Sequence, residues 1–131
     1  MKFSTMPLKA DIDPANQLTT FTATGELTFE DIRTTMASIT ASAEFRVTNN
    51  TLWDHRNASI NALSSEDIEK VVKISKEYSE ARKGGKAALV APQDVSYGLS
   101  MVYRGYAVNF PYRIQVFRTM EEALQFLTED K

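Results

Sequence analysis

The chain's 131 residues, 43% hydrophobic and 24% charged, suit one globular domain whose core is large enough to fold without staples. Fifteen basic against 17 acidic side chains leave no general cationic field, which argues against nucleic acid as a partner. The absence of cysteine excludes disulfides, thiolate catalysis and cysteine-held metals, and a single histidine, His55, excludes a histidine-rich metal site within one chain.

In chain order, residues 2–12 and 17–24 are rich in Phe, Ile, Leu and Thr and flank the turn residues Asp13-Pro14-Ala15-Asn16, which predicts an antiparallel pair. After Gly25, Thr28 can cap a helix over 28–42 with apolar positions Phe29, Ile32, Met36, Ile39 and Ala43. A short strand over 50–54 ends at Trp53-Asp54. Ser64 or Ser65 then starts a second helix, with Glu66 and Asp67 favourably placed in its first turn and a buried face of Ile68, Val71, Val72, Ser75, Tyr78 and Arg82. Lys83-Gly84-Gly85-Lys86 stops this helix, since glycine tolerates the left-handed cap; it follows a helix rather than a strand, unlike a phosphate-binding loop.

The unbroken apolar run Ala87 to Ala91 reads as a strand covered on both faces. Pro92 ends it, and Asp94 can cap a third helix over 94–108. In that helix Val95, Leu99, Val102 and Tyr106 form one apolar stripe suited to the sheet, while Tyr97, Met101 and Val108 form a second. Tyr112 to Phe117 alternates like a strand. Thr119 to Glu122 is a capping box opening a fourth helix that buries Met120, Ala123, Leu124 and Leu127. The order β-β-α-β-α-β-α-β-α, with short connections, implies an α/β sheet of parallel neighbours plus one antiparallel strand. The amino terminus lacks the apolar core of a signal peptide and no run approaches the roughly 20 residues of a membrane span, so a cytoplasmic protein is expected.

Parallel strands leave a crevice beyond their carboxyl ends, where helix amino termini converge. Trp53, Asp54, Arg56, Ser64, Ser65, Gln93 and Asp94 fall there and form the candidate ligand or regulatory crevice. Asp54 is expected to bond backbone amides or to pair with Arg56. An acid–base role for Asp54 and His55 with Ser64 as nucleophile finds no support in a G-x-S-x-G turn, which is absent. Ser64 and Ser65 are read first as helix caps.

The segments LWDHRNASINALSSEDI, KAALVAPQDVSYGLSMVY and YRIQVFRTMEEALQFL, in this element order, resemble the SpoIIAA-like branch of STAS domains, the fold of anti-sigma-factor antagonists, over nearly the whole chain. The resemblance implies a βα superhelix with a mixed sheet of about five strands, acting as a regulatory or binding module with no cofactor and no catalytic residues. Better-studied STAS domains carry Asp-Ser-Ser-Gly at the helix after the third strand and switch by phosphorylation of one serine. Here the matching place reads Leu63-Ser64-Ser65-Glu66, and Glu66 would repel a phosphate beside it.

The expectation is therefore a single STAS-like domain over 1–131, not an enzyme, with neither metal nor cofactor. It is read as a protein-interaction module that forms a homodimer through Tyr97, Met101 and Val108. The rival class is a small carrier or sensor holding an apolar or anionic ligand in the crevice, a reading to which the CRAL-TRIO lipid-carrying domains, sometimes related to this branch, also point. A pocket lined by Trp53 and Tyr97 would favour the carrier. A filled crevice beside an exposed apolar helix would favour the interaction module.

Overall fold

The computed structural model describes residues 2–5, 7–47, 50–60, 62–79, 85–110 and 112–129. Six strands form one sheet in sequential order: β1 (Lys2–Thr5), β2 (Leu8–Asp13), β3 (Leu18–Glu26), β4 (Asn50–Ser59), β5 (Lys86–Val90) and β6 (Arg113–Phe117). The first three run antiparallel, and β3 through β6 are parallel, as the element order requires. The sixth strand arises because 2–12 is not one strand. Pro7, which has no N–H to give a ladder, lies between β1 and β2, and the two halves pair as a hairpin.

Between the parallel strands lie α1 (Phe29–Thr40), α2 (Ser65–Ser79) and α3 (Asp94–Tyr106); a short 3-10 turn, Ala43–Val47, follows α1 and takes up Ala43. Because strand order advances in one direction, these helices return over the same face of the sheet. The other face is covered over β4, β5 and β6 by α4 (Met120–Thr128). Strand β5 is thus buried along its whole length, Ala88 and Val90 against α4 and Ala87 and Leu89 on the α3 side. Strand β2 alternates buried Leu8, Ala10 and Ile12 with exposed Lys9, Asp11 and Asp13, the pattern of a strand covered on one side.

The helix starts follow the local chemistry. Thr28 and Asp31 make a reciprocal capping box, Ser64 Oγ accepts from the Asp67 amide while Asp67 accepts from that of Ser64, and Thr119 Oγ1 accepts from the Glu122 amide. Asp94 does not cap α3. The N-cap is Gln93, without a side-chain bond, and Asp94 is drawn to Arg118 instead.

The inner side of α3 also differs from expectation. Ser96, Ser100 and Ala107 are buried with Leu99 and Tyr103 half-buried beside them, whereas Val95, Val102 and Tyr106 of the expected sheet-facing stripe are exposed. The spacing 96, 99, 100, 103, 107 is as helical as the apolar one, and the small serines let the helix sit close to the sheet. In α4, Phe126 takes the buried place expected for Leu124, which is exposed. The expected helix stop falls mostly outside the described residues, as do Arg82 and the side chain of Tyr78. Gly85 is described and adopts the left-handed conformation, φ 93°. No helix among the described residues is long and apolar enough to cross a membrane.

Candidate functional site

Strand β4 runs five residues beyond Asp54, so Trp53 to Arg56 lie within the strand and not at its exit. Up to the irregularity in its pairing with β3 between Asp54 and Asn57, its side chains alternate between the two faces of the sheet. Leu52 packs with the α4 cluster, and Trp53 packs with the clusters beneath α1, α2 and α3.

On the Trp53 side, the indole is stacked on Phe21, its register partner on β3, with ring centroids 3.9 Å apart and planes 7° from parallel. His55 continues the row, its ring 6.3 Å from Trp53 and tilted by 13°. These two rings line an apolar cavity with Met36 of α1, Ile68 and Ser75 of α2, and Leu99, Ser100 and Tyr103 of α3. The cavity offers about 60 Å³ to a water-sized sphere and is partly open. His55 is only 7% exposed and its Nδ1 has no hydrogen-bond partner among the described residues. Burial, slightly opposed by the Asp54 charge, pushes its pKa down to about 4, so the ring is neutral near pH 7.

On the other side, buried Asp54 is gripped by Arg56. Oδ1 accepts from the Arg56 amide and Nε, each at 3.0 Å, and Oδ2 from Nη2 at 2.9 Å. Burial pushes the carboxyl up, but the hydrogen bonds and charge of Arg56 outweigh it and hold the group below the usual carboxylate range. The expected Asp54–Arg56 pair is thus present. An Asp54–His55–Ser64 relay is not assembled, because Asp54 and His55 leave β4 on opposite faces and Ser64 Oγ serves the α2 cap.

A third group lies beyond β5 and β6. Arg118 donates to Asp94 at 2.6 Å and to the Pro92 carbonyl at 3.1 Å, and its guanidinium lies 4.1 Å from the centre of the Tyr97 ring. No sequence motif marks Arg118, which lies 24 residues from Asp94. Of the interface residues proposed from sequence, Met101 and Val108 are exposed while Tyr97 is half-buried beneath this arginine. The crevice residues thus fall into separate groups. Ser64, Ser65 and Gln93 are exposed, and among the described residues no hydrogen bond or ion pair joins Arg56 to Gln93 or Asp94.

Neither a family model nor a curated protein matches the chain. Among solved structures, the chain is similar to an uncharacterised protein of the DUF3478 family with a SpoIIAA-like fold from Shewanella loihica PV-4, at 18% identity and a TM-score of 0.51, over 97% of this chain and 90% of that one. The chain therefore has a SpoIIAA-like fold, the architecture its sequence resembled.

Proposed function

We propose that this protein is a non-catalytic interaction module of the STAS kind that pairs with a second copy of itself through the outer side of α3. One observation carries the reading: Val95 (55% exposed), Met101, Val102, Tyr106 (50%) and Val108 (76%) are exposed apolar residues within or just beyond one helix. Its two charged residues are both occupied, Asp94 by Arg118 and Arg104 by the Ile114 carbonyl. By contrast α2 is a water-facing helix, exposing Glu66, Glu69, Lys70, Lys73, Lys76 and Glu77. Apolar surface grouped in this way is the signature of a contact rather than of a solvated face. The test is sedimentation velocity at about 100 μM, where a dimer with a free energy near −5.5 kcal/mol is half formed. A monomer at that concentration overturns the reading. The carrier class is favoured by a separate observation, the cavity at Trp53 and His55, which is lined by Trp53 but not by Tyr97.

A further inference from the structure

We infer that the cavity between β4 and the helices above it is a binding site for a small apolar molecule carrying one hydroxyl group, with the hydroxyl on Nδ1 of His55. The walls set the apolar part. Leu27, Ile32, Met36, Leu63, Val71 and Leu99 offer only hydrocarbon or thioether, so most of a guest's surface must be apolar and a charged guest would lack a counter-charge. Phe21 covers one face of the Trp53 ring, and the part of the indole that lines the cavity gives an aromatic or alicyclic body apolar surface to pack on. The space of about 60 Å³ is smaller than the roughly 150 Å³ of a cavity that holds a benzene ring, so Met36, unbranched and flexible, is the wall that must yield to admit a single ring.

The anchor follows from His55, because Ser75, Ser100 and Tyr103 also bring hydroxyls to the lining but Nδ1 of His55 is the buried side-chain atom without a hydrogen-bond partner among the described residues. A buried ring nitrogen without a partner is costly, and a guest that supplies one recovers that cost on binding. In a neutral imidazole one nitrogen donates and the other accepts. A hydroxyl, which both donates and accepts, satisfies Nδ1 in either tautomer, whereas a ketone or an ether satisfies only one. The inference is independent of the dimer, since the cavity faces the inner side of α3 and the proposed contact lies on its outer side.

The chain has one histidine and one tryptophan, and both line the cavity, so side-chain nitrogen NMR reads the site without ambiguity. Phenol and toluene, matched in shape and differing by hydroxyl against methyl, are titrated into the full chain at pH 7. Phenol is expected to move the His55 Nδ1 and Trp53 indole signals together and to bind about tenfold more tightly than toluene, a difference of about 1.4 kcal/mol. In His55→Phe the preference for phenol should vanish. Equal affinity for the two, a Trp53 response without any His55 response, or no response from either residue at millimolar phenol overturns the inference. The phenol–toluene comparison in the wild type stands even where the variant fails to fold.

Discussion

Trp53 and His55, two residues apart on β4, project from the same face of the sheet with nearly parallel rings, and the histidine carries a buried nitrogen with no hydrogen-bond partner among the described residues. The acid behaviour of the protein follows from that placement. The pKa of His55 is near 4 in the folded protein against about 6.5 in an unfolded chain, so the unfolded state binds the extra proton between those values. The stability that depends on neutral His55 is complete above about pH 6.5 and is lost as pH falls toward 4. The full loss is about 3 kcal/mol, about two thirds of it by pH 5. Urea unfolding at pH 7 and pH 5 should show this drop in the wild type and none in His55→Phe. A wild type equally stable at both pH values would show that the ring is solvated in the folded state.

The opposite face of β4 carries a different liability. Asp54 is buried and, among the described residues, its side chain accepts only from Arg56, so Arg56→Met strips the charged partner and leaves the backbone amide. The arginine is half-exposed, which screens the pair and limits the cost to about 1 to 2 kcal/mol. The carboxyl carbon of Asp54 should then titrate at higher pH than in the wild type. An unchanged Asp54 titration would mean that the amide alone holds the carboxylate.

Much of this architecture was legible where a local signal agreed with a long-range one. The threonine and serine caps at Thr28, Ser64 and Thr119 marked three helices, and the uninterrupted Ala87 to Ala91 marked a strand with both faces covered. The misses share a cause, which is that residue type was read in place of position. Apolar residue type alone points Val95, Val102 and Tyr106 at the sheet, whereas Ser96 and Ser100, whose small size suits close packing, are the buried ones. Ending β4 at Asp54 put His55 in a loop, although simple alternation from Trp53 would have placed it on the same face. No local rule could have found Arg118, because its partners Asp94 and Tyr97 reach it only across the top of two parallel strands.

Lys86, the last residue of the expected helix stop, is a buried cation at the start of β5. Its Nζ donates to the Phe126 carbonyl at 2.7 Å and to that of Glu129, closing the carboxyl end of α4, and it lies 5.1 Å from the centre of the Phe126 ring. A cation there also suits the negative end of the helix dipole. Lys86→Met keeps the stem and removes the donor, so a loss of about 1 to 3 kcal/mol is expected, seen first as faster hydrogen exchange in the last turn of α4. Uniform exchange across the helix would assign the role to the stem's packing.

Gly98 separates the two uses that α3 could make of its outer side. It stands at helical spacing from Val95, Met101 and Val102, and a Cβ built on it meets no atom within 4 Å. Within one copy of the chain, alanine should therefore be better there by about 0.5 to 1 kcal/mol, because glycine gives up more backbone entropy in a helix. A second helix packed across this point gives the glycine a use, since the missing side chain lets two backbones approach. Gly98→Ala should raise the melting temperature measured in dilute protein by about 2 to 5 °C. Gly98→Leu should keep the monomer folded and abolish association in sedimentation velocity, as should Met101→Ser combined with Tyr106→Ser. If Gly98→Leu dimerises like the wild type while the serine pair does not, the contact uses the apolar flank of α3 and leaves the glycine uncovered. If both Gly98→Leu and the serine pair keep the wild-type sedimentation profile, self-association does not run through this helix.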